Sequence, residues 1–121
     1  MEVVNVKVKY IRPNYHNLKE WMDDKDNVYI GRGGIVFIDN KRFPPSPSKW
    51  ANPYKLKEMS REESLKLYEI YIRLQIKNNP EYYDIQELKG KKLGCWCHPE
   101  ICHGDILCKI LNESNIEEIT G

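Results

Sequence analysis

The chain has 121 residues, 40% apolar and 31% charged, with 19 basic side chains against 18 acidic ones. That is one domain's length with a modest core, and its near-zero net charge provides no strong field for DNA or an anionic membrane. Bulk nucleic-acid binding is therefore not expected, and any anion must be held by local geometry.

No apolar run approaches the ~18 residues of a membrane span, so no membrane partner is expected. The opening MEVVNVKVKY lacks the charged, apolar and small-residue sections of a signal peptide. A cytosolic chain with reduced cysteines is the resulting expectation, and crowded cysteines then suggest metal or chemistry. In VVNVKVKY, Val4, Val6, Val8 and Tyr10 alternate with polar residues, which predicts a half-buried strand near a sheet edge. From Asn17 to Asp26, Leu18, Trp21 and Met22 share a face at helical spacing, so a short helix follows. NVYIG reads as a strand running into the glycine turn GRGG, and IVFIDN as another strand ending in an Asp39-Asn40 turn.

KRFPPSPSKWANPY holds four of the seven prolines and is predicted irregular, a functional loop rather than a linker. Ser60 followed by Glu63 forms a capping box at the head of a long amphipathic helix ending near Asn78-Asn79. Leu65, Tyr68 and Ile72 make one apolar row, with Leu67, Tyr71 and Leu74 beside it, so a wide face should pack on a sheet. A short helix over Tyr82 to Leu88 should break at Gly90; KKLGCWC is a strand, and Ile106, Leu107, Ile110 and Leu111 are the core face of a last helix. This order predicts a single α/β domain over residues 1–121, with a Rossmann-like three-layer core and a partly parallel sheet.

Chemistry concentrates between residues 95 and 103, where three of four cysteines and two of three histidines fall. The loop after this strand lies where open α/β sheets bind ligands, and the free N–H groups near His103 and Gly104 suit a phosphate or carboxylate. One reading makes Cys95, Cys97, Cys102 and His103 ligands of zinc, although C-x-C-x4-C-H is not the usual paired spacing. Another makes Cys102 a nucleophile at a helix N-terminus beside His103 or His98. A third takes Cys95 and Cys108 as small buried hydrophobes, Trp96 as a core or wall residue and His103 as a cap. Two further clusters border strand ends. In YIGRGG, Arg32 between Gly31 and Gly33 can fork onto a phosphate or carboxylate. In SPSKWANPY, Ser48, Lys49, Trp50 and Asn52 supply a hydroxyl, a cation, a flat ring and an amide for a base or sugar.

YIGRG, SKWANPY and LKGKKLGCWCHPEICHGDIL together resemble the domain-of-unknown-function family 4326, over roughly residues 27 to 111. That family of bacteria, phages and large DNA viruses implies a site rather than a reaction. Onto this chain the resemblance carries Gly31, Arg32, Ser48, Lys49, Trp50, Asn52, Pro53, Cys95, Trp96, Cys97, Pro99, Cys102, His103, Gly104 and Asp105. The C-x-P-x-x-C-H ending is also similar to an α/β family that ends in C-H-R and is held to be Rossmann-like. Ala51 stands where the family pattern has glycine, and the link from Gly33-Gly34 to SKW is long.

The expectation is a protein that binds, or binds and processes, a nucleotide, nucleoside or related phosphorylated ligand. Arg32 and the His103-Gly104 helix start would hold its anion, Trp50 and Asn52 its base or sugar, with Trp96 and Gly33 lining the crevice. Cys102, His103 or Asp105 would carry any chemistry. The alternatives are a zinc-stabilised binding module without catalysis, zinc being the one cofactor suggested, and a phage or viral accessory protein that sequesters a nucleotide or blocks a host factor.

Overall fold

The computed structural model of the chain describes residues 1–120, with side-chain surroundings given through Ser114. Gly121, the last position of the expected domain, lies outside the described residues. Three parallel strands form the main sheet in the order β1 (Glu2–Asn5), β5 (Lys92–Cys95), β2 (Asn27–Tyr29). A separate antiparallel hairpin joins β3 (Val36–Ile38) to β4 (Lys41–Phe43). Its turn is the expected Asp39-Asn40, both residues having positive φ, a conformation these short polar side chains tolerate well. An α/β fold with a partly parallel sheet therefore holds. Three strands plus a detached hairpin are fewer than a doubly wound, Rossmann-like sheet requires.

The first strand is shorter than its alternation suggests. Asn5 ends it, because its side-chain oxygen accepts from the Lys7 N–H at 2.9 Å while its amide donates to the His98 carbonyl at 2.8 Å. The chain then turns into a four-residue helix, α1 (Val8–Ile11), which buries Ile11 and leaves Val8 and Tyr10 exposed. Helix α2 (Leu18–Asp23) starts as expected, with Asn17 accepting from Glu20 N–H at 3.0 Å. It buries Leu18 and Trp21 on one face of the sheet, together with Val6 and Tyr29.

The opposite face is covered by α4 (His103–Thr120), which lies on β1 and β5 with α3 (Arg61–Asn78) beside it. Ser60 caps α3 by accepting from Glu63 N–H at 3.1 Å. The buried row of α3 is Ser64, Tyr68 and Ile72, narrower than predicted; Leu67 and Leu74 are exposed because α3 rests against α4 rather than across the sheet. Arg73 clamps Glu113 of α4 with two bonds at 2.9 and 3.1 Å, and Lys109 reaches back to Glu69. The helix expected over Tyr82 to Leu88 is only a 3-10 turn, Ile85–Leu88, started by Asp84. No helix among the described residues is long and apolar enough to cross a membrane.

Strand β5, in the middle, has no exposed face. Leu93 and Cys95 belong to the α3–α4 cluster, while Gly94 faces Trp21 and Val6. A Cβ at Gly94 would come within 2.6 Å of Val6 Cγ1 and closer still to the Trp21 ring. Gly94→Ala is therefore expected to cost about 1–3 kcal/mol by overpacking. Leu107→Ala, which empties a fully buried site, should cost about 2–5 kcal/mol. Urea denaturation of both variants checks the pair.

Candidate functional site

Because β1, β5 and β2 are parallel, their carboxyl ends open onto one edge of the sheet. There β2 runs into Ile30-Gly31-Arg32 and β5 into Trp96-Cys97, beside the start of α4. A cavity of about 410 Å³ occupies this edge, bordered by Gly31, Arg32, Asn52, Cys95, Trp96, Cys97, Cys102 and His103 among others. Eight expected site residues thus meet at one cavity. Its charged lining comprises Arg32, Lys55, Lys57 and Arg61, with no carboxylate among the lining residues. Ile35, Leu56, Leu65 and the Trp96 ring supply apolar wall. A second hollow adjoins it through the shared Arg32, Asn52 and Lys55, and takes in Gly33, Ser48 and Arg42.

The other expected residues hold the loops. Trp50 is 1% exposed, with its ring against Tyr83, its Nε1–H donating to Glu87 and its carbonyl accepting from the Tyr68 hydroxyl at 2.7 Å. A side chain so enclosed offers no stacking face, so the aromatic side chains of this cavity are Trp96 and Tyr54. Lys49 pairs with Glu87 at 2.7 Å and donates to the Tyr82 carbonyl, away from the cavity. Ser48 accepts from Trp50 N–H, and Asn52 donates to the buried Ser64 hydroxyl at 2.9 Å while accepting from Tyr54 N–H. Gly33 is needed for backbone approach, since a Cβ there would lie 2.8 Å from the Ser46 carbonyl carbon. Gly104 seats α4, because a Cβ would press on Ile30 and Val3 at 3.0 Å. Asp105 accepts from Cys102 N–H at 2.9 Å and so closes the first turn of α4.

Tyr29 shapes the arginine turn. Its hydroxyl donates to the Arg32 carbonyl at 2.7 Å and accepts from Trp96 Nε1–H at 2.8 Å. Arg61 donates to Ile101 O at 3.1 Å and to Glu100 at 2.6 Å. The Cys97 sulfur beside it, and less so Glu100, raise its already high pKa against burial. Lys55, Lys57 and Arg61 were not singled out from the sequence. The available signal was the K-x-K spacing that continues SKWANPY toward the capped helix.

The thiols differ sharply. Cys102 donates its S–H to Cys95 at 3.3 Å. Cys95 also accepts from the Cys97 and His98 backbone N–H groups, and these donors pull its pKa down to about 6 against burial. The proton stays on Cys102, whose pKa is raised by the adjoining Cys95 sulfur and by burial. These neighbours favour the charged form on Cys95 over Cys102, whereas the sequence singled out Cys102 at the helix start. The expected zinc set is not assembled: His103 Nε2 is committed to the Ile30 carbonyl at 2.6 Å. Among the described residues no three His, Cys, Asp or Glu side chains form a group that could hold a metal.

A ring nitrogen this close to a carbonyl must carry the proton, so His103 is a neutral imidazole with Nδ1 as its free lone pair. Burial holds its pKa down at about 4 from 6.5. Between those values the unfolded chain binds the proton and the folded one does not, so stability falls as pH drops through this window. The loss should reach at most about 3 kcal/mol. In His103→Gln, whose amide can still donate to Ile30, that part of the loss should vanish. Urea midpoints of both proteins from pH 7 to pH 4 test this, and parallel curves would refute it.

The sequence pattern of the domain of unknown function DUF4326 matches residues 14–113. The chain is 33% identical over 96 residues to an uncharacterised protein of Acanthamoeba polyphaga mimivirus, covering 69% of this chain and 65% of that one. It is 34% identical over 64 residues to an uncharacterised 12.4 kDa protein in the nrdA-td intergenic region of Enterobacteria phage T4, covering 52% and 59%. The match thus spans less than two thirds of either relative. No solved structure matches. With all but the N-terminal strand region and the last residues inside the matched span, the chain belongs to the DUF4326 family.

Proposed function

We propose that the protein binds a small phosphorylated, nucleotide-like ligand in the cavity at the carboxyl ends of β5 and β2. The observation that carries this reading is the lining: four cations, no carboxylate and an apolar wall with one indole, in a chain whose net charge is only +1. Such a lining favours a ligand with an anionic end and a flat apolar body. At about 410 Å³ the cavity lies within the range that accommodates small ligands and cofactors. Placement beyond the carboxyl ends of parallel strands is where Rossmann-like and other open α/β sheets bind nucleotides. In this reading Arg32, Lys55 and Lys57 take the phosphate, and Trp96 takes the base.

A second form of the same reading has the ligand sequestered and not turned over, which fits the mimiviral and phage relatives only loosely. Titration with nucleosides and their mono-, di- and triphosphates, followed by Trp96 fluorescence and calorimetry, tests binding. Nucleotides should bind at least about tenfold more tightly than the matching nucleosides, a difference of about 1.4 kcal/mol. Arg32→Ala and Lys55→Ala should abolish that preference with unchanged melting temperatures. Equal affinity for nucleosides, or full binding by both variants, would overturn the proposal. Ligand recovered unchanged after incubation would select sequestration.

A further inference from the structure

The Cys95–Cys102 pair serves no purpose in ligand binding that a pair of small apolar residues would not serve equally. Their sulfurs are 3.3 Å apart, one ending β5 and the other immediately preceding α4. Three donors converge on Cys95: the Cys102 S–H and two backbone N–H groups from the loop that follows β5. Both residues are nearly sealed, at 1% and 2% exposure, yet both border the cavity. This geometry selects its reagent by size. A peptide or glutathione disulfide cannot reach so enclosed a sulfur, whereas a molecule close to water in size can enter along the cavity.

We propose that Cys95 and Cys102 form an oxidation site for hydrogen peroxide, with Cys95 as the attacking sulfur and Cys102 as the resolving one. In the first step the Cys95 thiolate attacks a peroxide oxygen and the O–O bond breaks. Cys95 becomes a sulfenic acid, and the departing hydroxide takes a proton from solvent to form water. In the second step the Cys102 sulfur attacks the Cys95 sulfur, the S–O bond breaks, and the hydroxyl leaves as water with the Cys102 proton. Overall a thiolate, a thiol, a proton and one peroxide give a disulfide and two waters. Peroxide is reduced by two electrons and the sulfur pair is oxidised by two. Closing the bond brings the sulfurs from 3.3 Å to about 2.0 Å, a shift the short loop from Trp96 to Ile101 can absorb. The donors that converge on Cys95 lower its pKa and so support its role as the attacking sulfur. Cys108 is half-buried on α4 and its pKa is raised by burial, while Cys97 is engaged by Arg61.

The test uses the full chain without any nucleotide, so its result is independent of the ligand reading. Folded protein is treated with one equivalent of peroxide, alkylated, and digested without reductant. A Cys95–Cys102 linked peptide, two hydrogens lighter and reversed by dithiothreitol, is expected, with Cys97 and Cys108 alkylated. Cys102→Ser should stop at the sulfenic acid and take up dimedone at Cys95, and Cys97→Ser should form the same link as wild type. Oxidation first at Cys97 or Cys108, with Cys95 and Cys102 still alkylated, would overturn the proposal. The wild-type peptide map decides the matter even where Cys102→Ser does not fold.

Discussion

The rest of the structure depends on a central strand with nowhere to face but inward. A three-stranded parallel sheet must be covered on both sides, and β5, between β1 and β2, is buried on both. Gly94 gives its side-chain space to Trp21, which lets α2 sit close. Leu93 and Cys95 then turn to the other face, toward α4. Strand periodicity carries the alternation one residue further: Cys95 points to the helix side, and Trp96 packs with Tyr29 on the α2 side. The three residues of CWC therefore have three fates: a buried sulfur beside Cys102, an aromatic wall, and a half-buried sulfur against Arg61.

Two polar ties turn this packing into a site. His103 fastens the start of α4 to the end of β2 through Ile30, and Tyr29 fastens the arginine turn to the strand it leaves. Both use buried or half-buried groups whose partners are supplied by backbone, which is how a loop stays in place without solvent. The SKWANPY segment follows the same rule. Its hydroxyl, amide and indole bond inward to Trp50 N–H, Ser64 and Glu87, so that Arg32 and Lys55 are left at the cavity.

What could be read from the sequence was whatever depends on near neighbours. The Ser60 cap, the short helix after Asn17, the Asp39-Asn40 turn, the end of α3 at Asn78 and the core face of α4 are local, and the structure has them. The misreadings all depend on partners distant in the chain. Alternation to Tyr10 was real, but Asn5 bonds to His98 across 93 positions and ends the strand. Leu67 and Leu74 have the spacing of a core row, yet α4 takes only the row that includes Tyr68 and Ile72. Trp50 and Trp96 are equally flat in sequence, and only the fold encloses one and leaves the other at the cavity. Cys95 is the small buried residue the sequence suggested; what the sequence did not announce is the Cys102 S–H, seven residues on, that meets it.

The same separation explains how a chain of almost balanced charge can contain a cavity without acids. Several of its carboxylates pair elsewhere: Glu87 with Lys49, Glu113 with Arg73, and Glu69 with Arg73 and Lys109. Glu100 pairs with Arg61 and half-neutralises that corner, whereas Arg32, Lys55 and Lys57 have no carboxylate among the described ion pairs. The cations are therefore unevenly placed, with Arg32 and Lys55 shared by the two hollows and Arg61 already paired with Glu100. In the proposed reading an anionic group is drawn to the Arg32 side and an apolar body to Trp96 and Leu65. That division keeps phosphate away from Cys95, where a second negative charge would oppose the thiolate, so one cavity can hold an anion at one end and a reactive sulfur at the other.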